Sequence, residues 1–227
     1  MTSLRFELDE RINRFDLLKH PFYQAWSSGQ LSRQELATYA GNYYQHVNAF
    51  PSYLKNLLPR LGADTVLSTL VSEHIADELG QGKYPGRAHS DLWLDFAKAY
   101  GAERSDVENV DPLPQVKELI GHFTRTTSES SVEESLAALY AYEVQTPKVS
   151  KDKAKWLREH YGAGEQACSY FDLHATYDEE HAEDWFVALE SVIARDPAKR
   201  ERALDSAEAT AEALWKALDA FACHCPN

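Results

Sequence analysis

No apolar run in the chain approaches the roughly 20 residues that a membrane-spanning helix needs. The first residues, MTSLRFELDERI, also lack the basic segment followed by an apolar stretch that marks a secretory leader. Both absences make the cytoplasm the expected location. Basic residues are in deficit: 23 Lys and Arg stand against 36 Asp and Glu, a net charge of -13. Nucleic acid and anionic membrane surfaces are therefore not expected partners, and the spread of the acids along the chain reads as a solvated surface. Cysteine is scarce. Cys168, Cys223 and Cys225 cannot all pair within the chain, which fits a reducing compartment. The tail CHC, around His224, lacks a second ligand pair at structural-zinc spacing, so the end from about residue 222 reads as a flexible tail. Apolar and polar residues nowhere alternate over strand lengths, and hairpin dipeptides are missing. Without a linker or an internal repeat, residues 1–227 are expected to form a single all-α domain.

What the chain has in quantity is helical periodicity. Leu4, Leu8, Ile12 and Phe15 recur at helical spacing, and Pro21 can open a helical turn in HPFYQAW. Ser32 and Glu35 have the pattern of a capping box, which starts a helix carrying Leu36, Tyr39, Tyr43, His46, Val47 and Phe50 on one face to Pro51 and on to about Leu61. Val66, Leu67, Leu70, Val71 and Ile75 mark a helix from Thr65 to about Leu79. After the break GQGKYPGRA a short helix is expected from Ser90 to Tyr100, and another ends near Thr126. A second capping pattern at Ser131 and Glu134 opens one long helix, kinked at Pro147 and stopped at Gly162. Two more follow, ending near Asp196 and Phe221. The expected architecture is a compact all-α bundle of about seven helices.

Within that scaffold, YFDLHATYDEEHAEDW places His174, Asp178 and His181 at i, i+4 and i+7. At 3.6 residues per turn they fall in one narrow arc, so three metal-competent side chains point the same way. One helix cannot close such a site. Dinuclear carboxylate centres in helical bundles add glutamates and histidines from facing helices, because two divalent cations side by side need several anions between them. Glu143, in the apolar run LAALYAYEVQTP, is the strongest partner, since a buried carboxylate without one costs several kcal/mol. Glu78 and His89 flank the glycine-rich break and supply a carboxylate and an imidazole. Three imidazoles and three carboxylates, with no thiolate, favour iron or manganese, and open positions on such a centre permit dioxygen chemistry.

The segments HPFYQAWSSGQLSRQELATYAGNYYQHVNAFPSYL, YPGRAHSDLW, ALYAYEVQTPKV and HATYDEEH resemble the heme-oxygenase-like diiron oxidases over nearly the whole chain. Within that superfamily they are most similar to the p-aminobenzoate synthases related to the chlamydial death-domain-associating protein (CADD). The resemblance implies a heme-oxygenase-like fold and a self-sacrificing oxygenase that makes p-aminobenzoate for folate synthesis from one of its own tyrosines. It also implies two metal ions (Fe/Fe or Mn/Fe), dioxygen as co-substrate, an external reductant and a homodimer. Glu78, His89, Glu143, His174, Asp178 and His181 match the ligand positions, although the segment between Glu78 and His89 is longer here and Glu73, His74 and Asp77 lie close to it. Tyr23 matches the consumed tyrosine, Tyr39 a second tyrosine near the site, and Lys153 the amino donor, with Lys151 and Lys155 beside it in sequence.

Physical chemistry supports these roles without choosing the residues. A phenol beside an oxidising metal can lose an electron and a proton, and desolvation keeps a lysine neutral and nucleophilic. Most of the twelve tyrosines are expected to be core residues with bonded hydroxyls. His46 is expected to be a core histidine. His20 is not expected to hold haem, because these carboxylates would occupy the haem pocket. Tyr177 is expected to wall the site. Two other readings stand beside the first: a dinuclear oxidase with an external small-molecule substrate, and a non-enzymatic interaction module. A thiaminase-like activity fits poorly, since Cys168 is the only cysteine outside the tail, and a cofactor-free pyrroloquinoline-quinone synthase would not need six ligands.

Overall fold

The computed structural model describes residues 3–83 and 86–222. The tail, with Cys223, His224 and Cys225, lies outside the described residues. Among them every regular element is helical. The chain opens with α1 (Leu4–Ile12), two short 3-10 turns and α2 (Pro21–Ser27). Pro21 occupies the first turn of α2, where no amide donor is needed, and His20 Nδ1 caps that turn by accepting from the Phe22 amide at 3.1 Å. The Ser32 capping box forms as its sequence implies: Ser32 Oγ accepts from the Glu35 amide at 3.2 Å and the Glu35 carboxylate accepts from the Ser32 amide at 2.7 Å. It starts α3 (Arg33–Leu57), which runs through Pro51.

Next come α4 (Thr65–Glu78), α5 (His89–Ala99), the single turn α6 (Arg104–Glu108) and α7 (Pro114–Ser128). The last four helices are α8 (Val132–Glu143), α9 (Thr146–Tyr161), α10 (Glu165–Arg195) and α11 (Arg200–Ala222). Eleven α-helices among the described residues correct the expected seven or so. Part of the difference is the segment expected to be one kinked helix. It is two, because Pro147 sits in the first turn of α9, a position that suits a proline, whereas within a continuous helix it would clash with the preceding turn. The other part is short helices such as α6, whose five residues show no periodicity to read. Gly162 ends α9 at φ +65°, as expected.

The bundle is organised by its two longest helices. The 31-residue α10 packs against α5, α8 and α9, while α3 packs against α4, α5 and α7. α11 closes the far side against α1, α7 and α8. Between them lies an aromatic core in which Phe22, Trp26, Tyr39, Trp93, Phe96 and Phe171 are all essentially inaccessible to solvent. Each such ring contributes roughly 1.5–3 kcal/mol by burial, and their tilted and edge-on contacts fix side-chain orientation.

This arrangement brings helix ends to the middle of α10. Glu78 is the last residue of α4, His89 the first of α5 and Glu143 the last of α8. The loop from Glu78 to His89 depends on Gly80, at φ +70°. A Cβ there would lie 2.6 Å from the Arg87 backbone.

Candidate metal centre

His174, Asp178 and His181 occupy the inward face of α10, each at least nine-tenths buried. Around them the acidic and imidazole groups form two adjoining clusters. In the first, Glu78 Oε1 stands 3.1 Å from His89 Nδ1, and the His89 and His174 rings meet edge-on at 4.6 Å. One ligand atom from each of Glu78, His89 and His174 lies within 4.8 Å of the others. His174 is pre-oriented: its Nδ1 is 2.6 Å from the Tyr170 carbonyl, which can only accept, so Nδ1 carries the proton and Nε2 is free as a ligand.

The second cluster joins Glu143 and His181, with Glu143 Oε2 at 3.5 Å from His181 Nδ1 and Asp178 Oδ1 at 4.0 Å from the same nitrogen. His181 Nε2 faces outward to Asp77 Oδ2 at 3.3 Å, a carboxylate placed to hold the ring in one orientation. Asp178 stands between the clusters, lining with Glu78, Glu143 and His174 a small chamber of about 10 Å³. The structure thus gathers all six residues expected as ligands. It adds His74, which places a ligand atom within 4.8 Å of those of Glu143 and His181.

Electrostatics in the clusters are strained. Burial, with His89 nearby, pushes His174 down to about 3. Burial would raise the Glu78 carboxyl, but the facing His89, His174 and His181 hold it below its ordinary value. Burial and the charge of Glu143 drive Asp178 well above the carboxylate range. For His181 burial acts downward, yet Glu143 at 3.5 Å, with Asp178 and Glu78, holds it up at about 10. Carboxylates this close thus favour the protonated forms of Asp178 and His181, and cations displace such protons on binding. Glu143 Oε2 is buried without a hydrogen-bond partner. An oxygen-rich, thiolate-free donor set with an orphaned buried carboxylate oxygen fits a pair of divalent iron or manganese ions.

A second chamber, of about 30 Å³, adjoins the first. There Lys153, 4% exposed, donates to Tyr39 Oη at 2.5 Å, and Tyr39 Oη lies 3.4 Å from Tyr23 Oη. Lys153 Nζ also sits 4.4 Å from the centre of the Tyr23 ring. Lys151 and Lys155 are exposed, so of the three neighbouring lysines only Lys153 reaches the tyrosines. Burial pushes the Lys153 ammonium well below its ordinary value and the Tyr23 and Tyr39 phenols above theirs. Burial thereby favours the neutral form of all three.

Tyr142 and Tyr170 line both chambers and form the wall between them. Tyr177, expected in that role, is half-buried and lines neither chamber. The spacing held the missed signal, because Tyr170 precedes His174 by one turn on the same face. Trp93 is the other omission. It stands 5.7 Å from Tyr39 and 4.8 Å edge-on from Tyr170, which stacks on His174 at 4.0 Å. The rings Tyr39, Trp93, Tyr170 and His174 therefore make a continuous series from one chamber to the other. His46 stays among the rings of Phe50, Tyr53, Phe123 and Tyr142, held neutral by burial. His20 uses both nitrogens, Nδ1 for the α2 cap and Nε2 toward Asp219 at 3.1 Å, which leaves neither for a haem iron.

Residues 37–215 match the sequence profile of the iron-containing redox enzymes. The chain belongs to this iron-containing redox enzyme family. It is 32% identical to a 4-aminobenzoate synthase of Chlamydia pneumoniae, over 97% of this chain and 96% of that relative. It is also 24% identical to a pyrroloquinoline-quinone synthase of Gluconobacter oxydans, over 89% of this chain and 84% of the relative. Among solved structures, a domain of unknown function with a heme oxygenase-like fold from Shewanella denitrificans superposes with a TM-score of 0.81 at 19% identity, covering 97% of this chain and 92% of that one. The fold is therefore heme-oxygenase-like, and the family member carries its buried histidines and carboxylates inside the matched span.

Proposed function

We propose that the protein is a dioxygen-using, dinuclear-metal oxygenase that forms p-aminobenzoate from its own Tyr23, with Lys153 as the source of nitrogen. Glu78, His89, Glu143, His174, Asp178 and His181 would hold the metals. Bound there, two irons, or one manganese and one iron, would supply the reduction of dioxygen to an oxidant able to remove an electron from a phenol. The observation that carries the proposal is Lys153, a buried lysine with no carboxylate lining its chamber, hydrogen-bonded to one tyrosine and lying over the ring of another.

The chain's own groups account for proton placement. Lys153 donates to Tyr39 Oη, which leaves the Tyr39 hydroxyl free to donate to Tyr23 Oη. A neutral amine over the Tyr23 ring is nucleophilic, and the burial that neutralises it also excludes competing water. Turning a tyrosine ring into p-aminobenzoate requires nitrogen in place of Oη, which leaves as water, oxidative scission of the Lys153 Cε–Nζ bond that leaves Cε as an aldehyde, and scission of Cα–Cβ with Cβ oxidised to a carboxylate. Dioxygen and an external reductant supply the oxidising equivalents and electrons. The ring series from Tyr39 through Trp93 and Tyr170 to His174 offers an electron path between the chambers.

The likeness to a pyrroloquinoline-quinone synthase keeps an external substrate as the second reading. Chamber size favours the first. Volumes of about 30 and 10 Å³ accommodate little more than a water or a dioxygen, whereas small-molecule sites run to roughly 300–1,000 Å³. A cavity of about 420 Å³ beside His181 is of that size, but it is lined largely by carboxylates and includes neither Lys153 nor Tyr23. The test is to express the protein with ring-labelled tyrosine, load it with metal and expose it to air and reductant. Label in released p-aminobenzoate, with a matching loss of mass at Tyr23, is expected. Unlabelled product built from an added small molecule would remove self-sacrifice from consideration.

A further inference from the structure

Beyond the two chambers, a third cavity of about 420 Å³ opens between α4 and α10 on the outer side of His181. Four carboxylates line it, Glu73, Asp77, Glu180 and Asp184, together with one amine, Lys83, which pairs with Glu180 at 2.6 Å. Acidic lining alone indicates nothing specific on a chain of net charge -13. His74 is different. It is 3% exposed, lines the cavity, and its Nε2 has no hydrogen-bond partner, with Asp184 Oδ2 3.5 Å away.

A buried imidazole nitrogen without a hydrogen bond is unfavourable unless something else uses it. His74 also belongs to the inner cluster through its closeness to Glu143 and His181. Its ring is wedged at 4.2 Å from both the His181 and the Trp185 rings, so it cannot swing out toward solvent. One side chain thus lines an acidic, water-accessible cavity and lies within ligand distance of the buried Glu143 and His181. Asp77 has the same double position, lining the cavity while meeting His181 Nε2.

We propose that this cavity is the entry port for divalent cations and that His74 is the transit ligand. The carboxylates at the mouth concentrate the ion, Asp184 and His74 take it from water, and His74 passes it to Glu143 and His181. Each handover exchanges oxygen or imidazole ligands one at a time, so the ion never crosses the protein without a donor. The proposal rests on the metal centre described above and adds the route by which that centre fills. Neither His74 nor Asp184 is among the six ligands.

The test measures loading separately from activity. Metal-free full-length protein is mixed with Mn(II), and free ion is followed by its electron paramagnetic resonance signal, with final content determined by elemental analysis. His74→Phe keeps an aromatic ring against Trp185, and Asp184→Asn keeps the shape of the mouth. Both variants are expected to load at least about tenfold more slowly, as loss of a charged funnel or transit donor implies, yet to reach the wild-type metal content. Wild-type loading should slow with added salt while that of Asp184→Asn changes less. Unchanged loading rates in folded variants, checked by circular dichroism, would overturn the port. A His74→Phe protein that loads at the normal rate but to about half the content would overturn transit and make His74 a resident ligand. If wild-type protein takes up no Mn(II) or Fe(II) at all, the metal centre itself falls, an outcome distinct from the other two.

Discussion

Lys153 Nζ donates a 2.5 Å hydrogen bond to Tyr39 Oη, deep in a chamber whose lining contains no carboxylate. A lysine so placed is poor for stability, because its charged form is removed from water with no carboxylate in its chamber. Such an arrangement is expected where a neutral amine is needed for chemistry.

The stability consequence has a definite sign. Burial holds the Lys153 ammonium well below its ordinary value of 10.5. Between the folded value and 10.5 the unfolded chain binds a proton that the folded chain does not, so stability rises with pH across that window. Lys153→Met removes the penalty. It should raise Tm at pH 7 by about 5 °C, with the gain shrinking as the pH approaches 10.5, while product formation stops. Thermal unfolding of both proteins across pH 7–10 checks this; an equal gain at every pH would contradict the assignment.

Tyr23 and Tyr39 should separate by role. Tyr23→Phe removes the oxygen that nitrogen must replace, and no p-aminobenzoate should form. Tyr39→Phe keeps the substrate but breaks the link between Lys153 and Tyr23, and should lower the yield by about 100-fold, the usual size of a lost proton-transfer partner. Product quantified by mass spectrometry after aerobic incubation distinguishes the two, and an active Tyr23→Phe protein would exclude Tyr23 as the substrate.

Glu143 acts on both neighbouring ligands: with burial it raises Asp178, and against burial it raises His181. Glu143→Ala should fold, because removing one of several crowded carboxylates relieves repulsion, and its metal content should drop from about two ions per chain to one or fewer. Elemental analysis after loading and desalting is the measurement. Full occupancy in the variant would show that Glu143 is not a ligand.

The loop that delivers His89 should be sensitive at Gly80 and Gly82 but not at Gly86. A Cβ at Gly80 meets the Arg87 backbone at 2.6 Å on a left-handed residue, whereas one at Gly86 meets nothing within 4 Å. Gly80→Ala should destabilise by about 2 kcal/mol and weaken metal retention, while Gly86→Ala should stay within about 0.5 kcal/mol of the parent. Denaturant unfolding of the pair checks the contrast.

The sequence by itself determined the helical class, the capping boxes, and the arc of His174, Asp178 and His181, because each depends on neighbours within a few residues and on one fixed period. Glu143 was also legible, since a carboxylate in an apolar run needs a partner wherever the run packs. The tertiary structure alone decided what depends on residues far apart in the chain. It split the Pro147 segment into two helices, buried Lys153 beside Tyr39 while leaving Lys151 and Lys155 exposed, and placed Tyr142 and Tyr170 rather than Tyr177 in the wall. It also drew His74 and Asp77 toward His181. Spacing along α4 places His74 and Glu78 one turn apart, but only the packing of α4 against α10 sets one of them beside each half of the cluster.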